Sequence, residues 1–387
     1  MRLAMPFTAS SAPPLLQPIA SFASAPTLQT LPYSTLAYSS PSLPATLLHT
    51  TAALLLTSLP KQRAVSSGRQ LAYCLLRAAL YYLTLRFLHT ELYNRPTTHS
   101  PATYKPVLLR LVGATFEEFE GGEVCVVRRQ GVGVYDDAVL VHGFGASSLS
   151  YHTLPALAAT THAYDAPGFG FTAPPPTASY HAVSVAAGLA CLGTGRSVVV
   201  GHSMGAVAAM DVAEQKKCDL VLISPALMKG NVERETTRRW IPGVVTRALW
   251  SCFKPFFKVL LRRLVSRESF WVKGLAIAFP QVTPEVVSRY RMPGFRRGWE
   301  EGVLEFCRQS GGTWSLAKWS SVTAKRRVLV IHGAEDEVVK AENSRWLEGL
   351  GRCEVVVMAG VGHVAHEERP DEVAEIVREW AERGSVR

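Results

Sequence analysis

The chain has 387 residues, 41 Lys and Arg against 31 Asp and Glu, a formal charge of +10 at neutral pH, and 48% hydrophobic residues. That length accommodates one large α/β domain with extensions. Seven scattered cysteines (Cys74, Cys125, Cys191, Cys218, Cys252, Cys307 and Cys353) include no C-x-x-C pair, so neither a disulfide framework nor a zinc site is expected, and the pattern suits a reducing compartment.

The basicity is unevenly placed. Residues 1–90 hold six basic residues and no acid, residues 229–320 hold seventeen basic and seven acidic residues, and the remainder is mildly acidic. Residues 1–60 are dominated by Ser, Thr, Ala, Pro and Leu, and the first carboxylate is Glu91. An acid-free, hydroxyl-rich leader reads as an organelle transit peptide. Arg2 is the only arginine before Arg63, which favours a chloroplast or other plastid over a mitochondrion. A disordered tail, or a secretory signal ending near Ala23-Ser24-Ala25, are the alternatives. Leu71–Leu88 is strongly apolar but broken by Arg77 and Arg86, leaving far less than the roughly twenty residues of a bilayer span. It either dips into a membrane surface with both arginines snorkelling or packs on the folded body. Tyr93-Asn94-Arg95-Pro96 ends that helix, and Thr97–Pro106 reads as a linker; residues 61–106 thus form an apolar helix and linker.

Gly131-Val132-Gly133 precedes a strand instead of opening a helix, so it is no dinucleotide fingerprint, and no phosphate loop is present. The strand Val139-Leu140-Val141 runs into His142-Gly143-Phe144-Gly145, a Gly-rich turn. Asp165 closes the next strand before Pro167-Gly168 and is expected to be structural. Ser197-Val198-Val199-Val200 is a buried strand, followed by Gly201-His202-Ser203-Met204-Gly205 and then by a helical run from Ala206. A G-x-S-x-G match alone is weak; between a β-branched run and a helix it describes a turn that pushes the Ser203 hydroxyl out above the sheet. A serine hydroxyl needs a base beside it and a group to orient that base. The strand Val328–Ile331 ends in His332-Gly333-Ala334-Glu335-Asp336-Glu337, and the strand Val355–Met358 ends before Gly362-His363. Serine, acid and histidine therefore follow three strands in order. Asp336 is preferred on spacing over Glu335 and Glu337, while His202 and His366 read as local structural histidines, and His142 as a brace for its loop.

Between Leu220–Ile223 and Val328 lie about a hundred residues, too many for a structureless loop. Residues 229–320 are expected to form a helical cap that holds six of the eight tryptophans. On a helix over 240–265, Arg247, Ser251, Lys254, Lys258 and Arg262 make one stripe, with Leu249, Phe253, Phe256, Phe257, Leu260 and Leu264 opposite; Arg263 intrudes and Pro255 introduces a kink. Such a helix either lies on anionic lipid or turns its apolar face onto the active site with its charges solvated. Both versions imply a large apolar pocket. No motif for nucleic acid accompanies the basic surface, and no nucleic-acid partner is expected.

His142-Gly143-Phe144-Gly145, Asp165–Thr172, the elbow at 201–205, Gly333-Ala334-Glu335-Asp336 and Gly360–Pro370 together resemble, in order and spacing, the landmarks of the α/β-hydrolase superfamily over residues 107–383. The resemblance implies a mostly parallel central sheet flanked by helices, with the core at 107–228 and 321–387 and an inserted helical cap at 229–320. It implies Ser203 as nucleophile, His363 as base, Asp336 as its orienting acid, and the N–H groups of Phe144 and Met204 as the oxyanion hole. The serine at the elbow argues against the epoxide-hydrolase branch, whose elbow residue is acidic. A serine hydrolase of carboxylic esters, apolar or lipid-like, is expected, with no metal or organic cofactor. Alternatives on the same fold are a cofactor-free lyase, a peroxidase-like enzyme, or a non-catalytic binding protein.

Overall fold

The computed structural model describes residues 105, 108, 112–119, 122–175, 179–227, 243–309 and 315–384. The expectations for the leader, for Leu71–Leu88 and for the linker before Lys105 lie outside the described residues. Eight strands, β1 (Ala114–Phe119), β2 (Gly122–Gln130), β3 (Tyr135–Val141), β4 (Ala158–Tyr164), β5 (Ser197–His202), β6 (Asp219–Ile223), β7 (Val328–Gly333) and β8 (Cys353–Met358), form one sheet ordered β1-β2-β4-β3-β5-β6-β7-β8. The first two pairings are antiparallel and the rest parallel. Parallel strands covered on both faces are buried on both faces, which is why β5, β6 and β7 read as unbroken apolar runs instead of alternating ones.

Helices α1 (Tyr180–Ala190), α2 (Ala206–Lys216), α3 (Gly243–Val265), α4 (Glu268–Leu275), α5 (Pro284–Arg291), α6 (Trp299–Gln309), α7 (Leu316–Lys325) and α8 (Pro370–Arg383) complete the described secondary structure, with a few single turns. Successive strand residues point to opposite faces. Val139, Val141, Val199, Leu220, Leu222, Val328 and Val330 pack with α1, α2 and α7. Ala138, Leu140, Val198, Val200, Val221, Leu329 and Ile331 pack with Val373, Val377 and Trp380 of α8. Each such buried Val, Leu or Ile contributes about 1.5–3 kcal/mol. Cys191 is a member of the first layer, with Cys218 and Cys353 packed against it, and Cys125, Cys191, Cys218, Cys307 and Cys353 are free thiols.

Register sets the site. Val141 pairs Gly201, His202 pairs Ile223, Ile223 pairs Ile331, and Gly333 pairs Met358, so the carboxyl ends of β3, β5, β6, β7 and β8 lie along one rim. The chain order reverses around β3, which sits between β4 and β5, making the switch point at which open α/β sheets hold their ligands.

Helices α3 to α6 form the insertion between β6 and β7. The expected cap boundary at 320 falls inside α7: Trp319 and Val322 are fully buried in the sheet-facing core, so this helix belongs to the body. Its start is fixed by Ser315, whose hydroxyl accepts from the N–H of Lys318 at 3.2 Å. The expectation for α3 is also corrected. Lys254 and Lys258 pair with Glu301 of α6, and Arg262 pairs with the buried Glu300. Lys254, Lys258 and Arg262 of the cationic stripe thus face a neighbouring helix, partly exposed, and are not simply solvated. Phe256, Phe257 and Leu260 are instead the exposed side chains, at 52%, 38% and 40%. The helix continues through Pro255. No helix among the described residues is long and apolar enough to cross a membrane.

Candidate active site

The turn from β5 to α2 is imposed by two glycines that must have no side chain. A Cβ on Gly201 would lie 2.6 Å from that of Ala209, and one on Gly205 would lie 2.5 Å from the Val141 carbonyl oxygen. Between them Ser203 takes φ +50°, a left-handed conformation that costs a non-glycine residue about 1–3 kcal/mol. The Ala226 N–H holds it there by donating to the Ser203 carbonyl at 3.1 Å.

His363 Nε2 lies 3.0 Å from Ser203 Oγ, and its Nδ1 lies 2.7 Å from Asp336 Oδ2. All three side chains are buried. Asp336 Oδ1 accepts from the N–H groups of Val338 and Val339 at 2.8 Å each, and His332 Nε2 stands 3.0 Å from Oδ2. Burial pushes the Asp336 carboxyl up, but the hydrogen bonds from His332 and His363 outweigh it and hold the group well below the usual carboxylate range. Glu335 and Glu337 are exposed, Glu337 pairing with Lys340 on the surface, so Asp336 is the one acid of the three that reaches the imidazole.

The other histidines are structural in contact. The Ala166 N–H donates to His142 Nε2 at 2.8 Å while Nδ1 donates to the Gly143 carbonyl at 2.7 Å, fixing the turn after β3. His202 Nε2 donates to the His363 carbonyl at 3.0 Å, and burial, then the neighbouring His366 and His363, hold it neutral. His366 meets Ser150 Oγ at 2.9 Å, and burial holds its pKa down at about 3. Asp165 accepts from the N–H groups of Ser148 (2.6 Å) and Phe171 (2.7 Å), tying two loops of the rim together.

Phe144 projects from the β3 turn, 54% exposed, and its ring meets Phe169 edge-on at 5.4 Å. Phe306 of α6 joins the pair, 5.0 Å from Phe169 and 6.1 Å from Phe144. Met204 follows Ser203 within the single helical turn Ser203–Gly205. The backbones of body and cap touch at Gly168 and Gly302, where a Cβ on Gly302 would stand 2.3 Å from the Gly168 oxygen. Arg296, buried, donates to the carbonyls of Gly170 (3.2 Å) and Gly168 (3.3 Å) beside that contact. Between the β3 turn and the cap lies a cavity of about 60 Å³ whose walls include Ala146, Phe169, Trp271, Tyr290, Trp299 and Val303. Its walls are mostly apolar, and they do not include Ser203, Asp336 or His363.

Sequence reasoning missed His332, Glu368 and the Arg289–Glu367 pair. Glu368 accepts from the N–H groups of Gly362 (2.9 Å) and Val364 (3.3 Å), bracing the His363 loop on both sides. The spacing of His332, four residues before Asp336, is the one signal that was present for any of them.

A buried serine, imidazole and carboxylate in line can raise the nucleophilicity of the hydroxyl and return its proton to a leaving group. Among the described residues no cluster of His, Cys, Asp and Glu is arranged to hold a metal ion.

The sequence profile of the alpha/beta hydrolase family matches residues 138–376. No curated protein matches the sequence. Similar solved structures include a membrane phospholipase A that is a bacterial virulence factor (21% identity, TM-score 0.52, covering 83% of this chain and 100% of that one). Another is a serine hydrolase involved in carbazole degradation (18% identity, TM-score 0.52, 70% of this chain and 98% of that one). A third is a serine hydrolase from the polyaromatic-hydrocarbon-degrading bacterium Cycloclasticus zankles (15% identity, TM-score 0.50, 70% and 97%). At these identities the likenesses concern the fold alone. The profile match spans more than half of the chain, and with the sheet order and the elbow it establishes that this chain belongs to the alpha/beta hydrolase family.

Proposed function

We propose that the protein is a serine hydrolase of carboxylic esters with apolar or lipid-like acyl groups. The observation that carries this reading is the line from Ser203 Oγ to His363 Nε2 and from His363 Nδ1 to Asp336, at 3.0 and 2.7 Å, with the serine at φ +50°. Ser203 Oγ attacks the ester carbonyl as His363 takes its proton, and Asp336 fixes the imidazole tautomer. The oxyanion is met by the N–H groups of Phe144 and Met204. His363 passes the proton to the departing alcohol, leaving an acyl-enzyme. Water then gives a proton to His363 and its oxygen to the acyl carbon, and the acid leaves as Ser203 recovers its hydrogen. No cofactor is required.

The apolar walls contributed by Ala146, Phe169, Trp271 and Val303 support an apolar acyl group. The exposed Phe256, Phe257 and Leu260 of α3 support peripheral contact with a lipid surface through apolar side chains. The acid-free residues 1–60 support delivery to a plastid, which a reporter fusion of that segment tests; reporter in mitochondria reassigns the organelle.

The direct test treats the protein and its Ser203→Ala variant with a fluorophosphonate probe, alongside p-nitrophenyl esters of increasing chain length. Labelling confined to the unsubstituted protein, with turnover of the esters, is expected. An unlabelled, inactive protein overturns the catalytic reading and leaves a binding protein of the same fold.

A further inference from the structure

The cap reaches the histidine loop at three independent points. The His363 backbone N–H donates to the Ala278 carbonyl, just past α4, at 3.0 Å. Val364, the next residue, is buried among Leu275, Phe279 and Val287 of the cap. From α5, Arg289 pairs with Glu367 and Tyr290 donates its hydroxyl to the same carboxylate at 2.7 Å. The Glu367 carboxylate, 2% exposed, also accepts from Ser150 of the body, and Arg289 is 6% exposed. Gly362 leaves no slack in this contact: a Cβ there would lie 2.8 Å from the Ala278 oxygen and 3.1 Å from Pro280. The Arg289–Glu367 pair is buried, Arg289 also reaches His152 Nε2 at 3.2 Å, and a pair so buried is costly to break by removing one partner.

We propose that Arg289 and Tyr290 are positioning residues that act through Glu367, with the Ala278 carbonyl, to align His363, so that seating the cap and assembling the Ser203–His363–Asp336 line are one event. The proposal rests on reading His363 as the base. It separates the cap's role from that of a removable cover: moving the cap away dismantles the line. A 1 Å misplacement of a reacting group costs about 100-fold in rate.

The experiment uses the full chain. In the double variant Arg289→Met/Glu367→Gln both charges are removed together, so neither is left unpaired, and Tyr290→Phe deletes a single hydrogen bond. With a short soluble p-nitrophenyl ester the double variant is expected to lose about 10–100-fold in kcat with KM changed less than about twofold, and to label proportionately more slowly. Its thermal transition stays intact, and the downfield proton resonance of the His363 Nδ1–H···Asp336 bond weakens or vanishes. An unchanged kcat with a raised KM overturns the proposal, because the cap then only shapes the pocket. If the double variant does not fold, Tyr290→Phe decides: a lower kcat at unaltered KM supports the proposal and an unaltered kcat overturns it. If the unsubstituted protein neither labels nor turns over ester, the catalytic reading falls, and the resonance still decides the positioning: its loss in the variants supports the alignment and its persistence overturns it.

Discussion

His332 and His363 approach the same oxygen of Asp336, Nε2 of the first at 3.0 Å and Nδ1 of the second at 2.7 Å. Both rings therefore present an N–H to one carboxylate, that of His332 shared with the Val339 carbonyl at 2.7 Å, and the remaining His332 nitrogen, Nδ1, accepts from the Ser344 hydroxyl at 2.6 Å. The acid is anchored independently of the base it orients. Asp336→Asn is expected to preserve the fold and lower kcat by about 10³–10⁴-fold, since the amide no longer selects the imidazole tautomer. His332→Asn is expected to cost about tenfold, because the Val338 and Val339 N–H groups still hold Oδ1. Steady-state kinetics of the two variants check the ranking; equal losses would mean that His332 does more than anchor.

The elbow predicts an intolerance unrelated to chemistry. Gly205→Ala would drive a methyl into the Val141 and His142 carbonyl oxygens, 2.5 and 2.6 Å away. The expected cost is about 1–3 kcal/mol or more, read as a lower urea midpoint. Ser203→Ala, by contrast, is expected to abolish probe labelling while lowering the urea midpoint less than Gly205→Ala does, since it adds no atom to the elbow.

Acid is expected to weaken the fold through its buried histidines. His366 is held down at about 3 by burial, followed by the charges of His363 and Arg289, and His202 is likewise depressed by burial and its histidine neighbours. The unfolded chain binds protons at these positions below the ordinary value of 6.5, and the folded chain refuses them until far lower pH. Stability is thus fully present above about pH 6.5 and falls as pH drops toward the folded values, by up to about 1.4 kcal/mol per unit per histidine. The depressed Asp336 adds a loss of the same sign below its own ordinary value of 3.8. Urea midpoints between pH 7 and pH 5 measure the slope. His366→Asn is expected to remove one histidine's share, and an unaltered slope contradicts the assignment.

The lipid contact proposed for α3 predicts a distinctive salt response. Of its cations, Lys254, Lys258 and Arg262 are already paired with Glu300 and Glu301. Binding to zwitterionic vesicles is therefore expected to persist in high salt and to fall in Phe256→Ser/Phe257→Ser. Binding that requires anionic lipid and washes off with salt would place the contact elsewhere.

The sheet core and the rim were legible in sequence because both are local signals: unbroken apolar runs, each followed by a short motif. The strands β1, β2 and β4 are less marked, being paired in part antiparallel at one side of the sheet. Residues that act across distance left no trace. Arg289 and Glu367 are 78 positions apart, and nothing near either one names the other. The faces of α3 were readable from its period, but which face turns inward was decided by Glu300, Glu301 and Glu305 on α6, and single-helix patterning cannot weigh a partner helix. His332 carried a readable spacing whose meaning appeared only when its ring met Asp336.

The abutting backbones at Gly168 and Gly302 also divide the molecule's future substitutions into two kinds. Wall positions such as Trp271, Trp299 and Val303 end in side chains and can be exchanged, reshaping what the cavity admits while the seam stays shut. Position 302 offers no such freedom, because any side chain there would pry α6 off the body and carry Phe306 away from Phe169 with it. A library that randomises the walls and spares the seam would therefore vary the cavity without parting cap from body.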